Sequence, residues 1–221
     1  MPRFYLRLLL LPLLIFTAVL LLIRAQPYDD HNLRQLLLSD GCPAPCFMGI
    51  RPGVTTVKEA ITRLEASGWV TDLQVTKAES ITDGESYISV RWNWNTHSSS
   101  VIETAFPAYI FSYEQDIRSA VDEIRVPMKL KSGHIQLLLQ VPTMYALIEG
   151  MPDAFGKLPM AITIYYDRVE SSSYLECPVN MRDVWVQRSN LTFYSSAQSE
   201  FGYTKKWDSR QLIRTLKSNC G

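Results

Sequence analysis

The sequence predicts an α+β fold: two helix-plus-antiparallel-meander units after an N-terminal membrane-spanning helix. Three observations carry this. Residues 8–23 are apolar apart from Thr17, and the residues before them hold arginines and no acid. After Gly68 the hydrophobic period switches from 3.6 to 2, as it does when a helix gives way to strands. A second helix-ending signal, Gly150 followed by Pro152, comes 82 positions after Gly68 and opens another run of alternating segments.

Charged side chains are expensive at a bilayer centre and basic residues stay on the cytoplasmic side. Arg3 and Arg7 are therefore expected to hold the N-terminus inside and deliver the chain after Arg24 outside. Sixteen residues at 1.5 Å each span about 24 Å against a hydrocarbon core of about 30 Å. Arg7 and Arg24 can snorkel to close that gap. Residues 1–25 read as a signal anchor, with a cleaved signal peptide as the alternative because Ala25 is small. A lipidated start is not expected, since Asp40 stands close ahead of Cys42, far from the apolar run.

Residues 26–51 read as a stalk with an amphipathic patch, His31 to Leu38, and a Cys-Pro loop. Four cysteines, Cys42, Cys46, Cys177 and Cys220, suit an oxidising compartment and allow three pairings. Cys42 with Cys46 and Cys177 with Cys220 is the preferred set. It requires the loop to turn at Pro43, because Pro45 pushes Ala44 towards extended backbone; otherwise Cys42 pairs with Cys220. A redox role would want the two-residue spacing that Cys42 and Cys46 lack.

The first unit is placed at 52–131. Thr56 and Glu59 form a capping-box pair, Val57, Ala60, Ile61 and Leu64 recur at helical spacing, and Gly68 ends the helix Thr56 to Ser67. Trp69 to Thr76, then Ile88 to Asn95, Tyr109 to Tyr113 and Ile124 to Leu130 alternate as strands. The second unit is placed at 132–221. Ile135, Leu137 and Leu139 read as an extra strand, with a helix as the open alternative. Pro142 starts a helix carrying Met144, Leu147 and Ile148. Strands follow at Ile162 to Tyr166, Tyr174 to Cys177, Val184 to Arg188 and Leu191 to Tyr194, with a turn at Ser171 to Ser173. A last helix, Ser209 to Lys217, has Asp208 as N-cap and Leu212, Ile213 and Leu216 inward.

The run Gly49-Ile50-Arg51-Pro52-Gly53-Val54-Thr55-Thr56 leading into a helix, and Met144 to Asp153 ending Glu149-Gly150-Met151-Pro152-Asp153, resemble the small lipoprotein of the bacterial β-barrel assembly machinery. The arrangement is also similar to the β-lactamase inhibitor proteins built from two comparable units, and to exported bacterial proteins with a Cys-Pro lead-in. The resemblance implies helices packed on an antiparallel sheet and a binding or scaffolding role outside the cytoplasm. It carries no functional residue across, and the chain departs from the lipoproteins in lacking a lipidated cysteine.

With 47% hydrophobic and 20% charged residues the chain after the anchor can bury a sizeable core. That part has 19 basic and 22 acidic side chains and no Lys/Arg cluster of the kind that displaces counterions from a phosphate backbone, so no nucleic acid is expected as partner. His31, His97 and His134 are isolated, so no metal site is expected, and no cofactor motif or catalytic signature occurs. His97, Ser98 and Asp83 could supply a hydrolytic set, but Thr96 to Ser100 reads better as a polar turn. Asp29 and Asp30 beside His31 read as a polar linker.

Aromatic residues are the better lead. Trp92, Trp94, Tyr109, Phe111 and Tyr113 form one aromatic sheet face, either core under a helix or a candidate interaction face. The expected protein is a non-catalytic interaction or scaffold module of the bacterial envelope, single-pass in the cell membrane through residues 8–23, its C-terminal part extracytoplasmic, with an envelope protein as partner. An envelope hydrolase of wall or glycan substrates and a secreted inhibitor are the alternatives.

Overall fold

In the computed structural model the chain divides into two units, Met1–Asn32 and Leu33–Gly221. The structure describes residues 12–22, 36–37, 41–43, 45–79, 86–95, 101–139, 142–149, 159–196 and 204–219. In the first unit residues 12–22 are helical and all exposed. Thr17 Oγ1 donates to the Leu13 carbonyl at 2.8 Å, which satisfies the one hydroxyl of the apolar run inside the helix. Among the described residues no helix is long and apolar enough to cross a membrane, and the rest of span 8–23 lies outside them.

The second unit is built on antiparallel strands. Helix α1 (Val57–Ala66) leads into β1 (Val70–Glu79), β2 (Ser86–Trp94), β3 (Ala108–Ser112) and β4 (Glu123–Lys131). Helix α2 (Ser132–Leu139) leads into β5 (Met144–Glu149), β6 (Pro159–Tyr166), β7 (Val169–Glu176), helix α3 (Met181–Val186) and β8 (Arg188–Tyr194). The short β9 (Lys205–Lys206) and helix α4 (Ser209–Asn219) complete it. Neighbouring strands run in the order β1-β2-β3-β4-β8-β7-β6-β5-β9. Each half is thus a helix followed by a four-strand meander. The two halves are not separate bodies, however: β4 pairs with β8 along Glu123↔Tyr194 to Pro127↔Asn190, so their strands make one sheet.

The α1 capping box is present in full, Thr56 Oγ1 accepting from Glu59 N–H and Glu59 Oε2 accepting from Thr56 N–H, both at 3.2 Å. Its buried stripe, Val57, Ala60 and Leu64, packs in one core with Ile88, Val90, Trp92 and Trp94 from β2 and Leu212 and Leu216 from α4. Asp208 Oδ1 caps α4, accepting from Arg210 N–H at 2.8 Å and Gln211 N–H at 3.2 Å. The Cys42–Cys46 disulfide forms with its Cα atoms 6.0 Å apart, so the proline loop does turn. It delivers Phe47, fully buried, to an aromatic cluster with Trp94 at 6.2 Å and Phe193 at 5.8 Å between ring centroids. Cys177 is also disulfide-bonded, and Cys220 lies outside the described residues.

Several expectations for the second half are corrected. Met144–Glu149 is strand β5, not a helix: Tyr145 and Ala146 are both buried, so both faces of this strand are apolar and alternation is lost. Ser132–Leu139 is a helix, not an extra strand, and it lies so close to α3 that a Cβ on Gly133 would come within 2.2 Å of Trp185 Cε3. Met181–Val186 is helical where a strand from Val184 was expected, because Asn180 and Asp183 form a second capping box. Ser171 to Ser173 lie inside β7, and the turn falls at Asp167 and Arg168, where Asp167 takes a φ of 57°. Ser173 and Ser189 instead join Ser132 in a buried ring of three hydroxyls, 2.5 to 3.0 Å apart. Of the His31 to Leu38 patch only Leu36 and Leu37 are described; they are helical and buried.

Candidate functional site

Successive side chains of a strand point to opposite faces, so the register sorts the predicted aromatic face. Trp92 pairs with Ala108 and Val90 with Ile110, which puts both tryptophans on the face that carries the core, where Trp92 is 0% and Trp94 5% exposed. Tyr109 pairs with Arg91 and Phe111 with Ser89, which puts them on the other face, both half-buried. The expectation of a single aromatic face is therefore corrected: the five residues divide between the two sides of the sheet. Tyr113, beyond the end of β3, is 54% exposed.

The second face of the sheet builds a site. One cross-strand row runs Tyr109, Arg125, Thr192, Glu170 over β3, β4, β8 and β7. The next runs Phe111, Glu123, Tyr194. On the other side Pro127, Asn190 and Ser172 form a third. Pro127 is tolerated within β4 because the ladder shifts register between Pro127 and Lys131. Its carbonyl accepts from Glu103 N–H at 3.0 Å, which brings the segment from Val101 to Pro107 alongside. The first and third rows, with Tyr194 from the second and Glu103 and Pro107 from that segment, line a groove of about 830 Å³ whose rim carries Phe106 and Tyr174, 62% and 65% exposed. Tyr109 is the one member of the predicted face that lines it.

Charges in the groove, and those just behind its lining, are tied to fixed partners. Glu123 is buried; it accepts from Arg125 Nε and, at 2.9 Å, from the Tyr113 hydroxyl. Arg125 also lies over the Phe111 ring at 4.8 Å, and Phe111 stacks on Tyr109 at 5.9 Å. Its Nη groups have no acceptor among the described residues. Glu170 accepts from the Tyr194 hydroxyl at 2.8 Å and from Ser172 Oγ at 2.7 Å. At the other end Arg188 donates to Glu103 at 3.2 Å, with Lys129 at 4.0 Å from the same carboxylate. Burial, and then Glu123, push the Tyr113 hydroxyl up to about 12. Burial and then Glu170 raise Tyr194 further. For Arg125 burial alone would lower the value, but the bond to Glu123 outweighs it and the guanidinium is held more firmly protonated.

Beyond Tyr109, the groove residues were missed from sequence, though a signal existed. The polar sides of three alternating runs, Glu123, Arg125 and Pro127, Glu170, Ser172 and Tyr174, and Asn190, Thr192 and Tyr194, all fall on this face. Among the described residues no group of three His, Cys, Asp or Glu side chains is placed to hold a metal ion. His31, His97, Ser98, Asp83, Asp29 and Asp30 lie outside the described residues, and His134 is exposed. Neither cysteine of the disulfide Cys42–Cys46 lines the groove. Compared with known protein families, curated proteins and solved structures, the chain matches none.

Proposed function

We propose that this chain is a non-catalytic interaction or scaffold module of the bacterial cell envelope, tethered through residues 8–23 with Leu33–Gly221 outside the membrane, and that the groove on the second sheet face takes its partner. The observation that carries this reading is the groove itself: exposed aromatic rings at the rim above polar groups already held by neighbours, so that little order remains to be imposed on binding. The disulfide Cys42–Cys46 and the bonded Cys177 support an oxidising compartment. Two four-strand meanders sharing one sheet support the resemblance to tandem inhibitor-like modules.

The test is a photo-crosslinking residue at position 174 of the full chain in native membranes, with position 62, exposed on α1, as control. A defined adduct from 174 and not from 62, abolished by Phe106→Ala, supports the reading; identical adduct patterns from both positions overturn it. A second reading as a glycan hydrolase draws on one observation, that Glu103 and Glu170 line the same groove. It requires that Glu170→Gln abolish turnover of a wall glycan while leaving the fold intact.

A further inference from the structure

Helix α4 carries Arg210, Arg214 and Lys217, all exposed. At 100° per residue they fall within an arc of about 60° and span roughly 10 Å, nearly opposite the buried Leu212 and Leu216. Lys205 pairs with Tyr145, whose side chain packs with the core, so Lys205 lies on the α4 side of the sheet edge, while Lys206 faces the other way. Residues 204–221 hold five basic side chains and one acid, Asp208, which is engaged as the helix cap. Residues 26–203 hold 14 basic and 21 acidic side chains, so the positive charge of the exported part is concentrated in its last elements.

This stripe is placed against the helix's own stability. Arg210 stands in the first turn, where the helix dipole disfavours a cation, and Arg210 with Arg214 is a like-charge pair four apart. No acid in α4 compensates. Among the described residues none of the five cations is in an ion pair. Both helices place a cation in the last turn, Lys217 in α4 and Arg63 in α1, but α1 carries an acid, Glu59, in its first turn where α4 carries Arg210. Lys217 suits the last turn and Asp208 offsets part of the cost at the first, but Arg210 and the Arg210–Arg214 repulsion have no gain within the helix, which marks a surface shaped for something outside the molecule.

We infer that the stripe Arg210, Arg214 and Lys217, with Lys205 exposed on the same side of the sheet, docks on an anionic phospholipid surface. The apolar face of α4 is committed to the core, so the contact is electrostatic and involves no insertion of the helix. The choice of a bilayer as occupant rests on the tether reading above; the site itself does not.

The test places the full chain in lipid nanodiscs, one set all phosphatidylcholine and one with a third phosphatidylglycerol, and follows hydrogen exchange in residues 209–219. Exchange should slow several-fold in the anionic discs only, revert in high salt, and revert in R210E/R214E/K217E, whose fold is checked by circular dichroism. Where the chain does not insert, each cation removed should lower its binding to anionic vesicles about fivefold at low salt. Equal exchange in both discs overturns the inference, as does protection that survives the triple variant. Slowing by a soluble anionic polymer but not by the anionic discs assigns the stripe to a polymer and also overturns it. A chain that fails to enter neutral discs would sink the tether alone, and the stripe is then scored by the vesicle binding.

Discussion

Glu123 and Arg125 are two residues apart on one strand and very unequally buried, the side chains being 3% and 57% exposed. Removing either partner should therefore cost different amounts. Arg125→Met keeps an apolar stem over Phe111 and strips the cation from a carboxylate that water cannot reach, leaving it the Tyr113 hydroxyl alone. Breaking a fully buried pair costs about 3–5 kcal/mol, and solvent screening of the half-exposed guanidinium brings the figure here to about 2 kcal/mol. Glu123→Gln keeps the shape and an acceptor oxygen and leaves a guanidinium that solvent can serve, so it should cost about 1 kcal/mol. The double variant should cost about 1.5 kcal/mol, an interaction of more than about 1 kcal/mol in the cycle. Urea unfolding of the full chain, read by fluorescence of the buried Trp92 and Trp94, would show Arg125→Met as a midpoint shift of about 1 M. A Glu123→Gln loss equal to or larger than that of Arg125→Met, or additive losses, would refute the account of the pair.

Gly133→Ala should destabilise by about 1–3 kcal/mol through the clash with Trp185, with part of the loss recovered in Gly133→Ala/Trp185→Ala; a variant as stable as the parent in urea would show that α2 and α3 pack differently. Alkaline pH should weaken the fold. Tyrosines of the unfolded chain ionise near 10, whereas Tyr113 holds its proton to about 12 and Tyr194 is raised as well. The unfolded state then binds fewer protons above about pH 10, so the contribution is complete below that pH and is lost as pH rises towards 12. Tyr113→Phe should flatten the decline in urea midpoint, and an unchanged slope would count against the Glu123 contact.

The first half was legible because its elements follow one rule at a time. Thr56 and Glu59 announce a helix, Ile88 to Trp94 alternate cleanly with one face buried, and the structure keeps both. The second half was harder for a physical reason. Strand β5 is apolar on both faces around Tyr145 and Ala146, so Met144, Leu147 and Ile148 match a helical spacing by accident. Ile135, Leu137 and Leu139 alternate by equal accident in a helix. The Asn180 and Asp183 capping box was readable and would have placed α3. The groove could not be assembled from sequence, because Arg125, Thr192 and Glu170 meet only through the pairing of β4 with β8 and β7, a matter of long-range register. Trp92 and Phe111 were placed on one face for the same lack.

The pairing of β4 with β8 also sets the earliest moment at which the two halves can join. Arg125 and its partner Thr192 are separated by 67 residues, which take about 3–13 s to synthesise at ordinary rates. Over that interval the first meander can pair within itself, but one edge of β4 waits with open backbone groups, an invitation to any extended segment nearby. A chain stalled or truncated between the two strands should aggregate through that edge, and a newborn copy is most in need of a holding chaperone during those seconds.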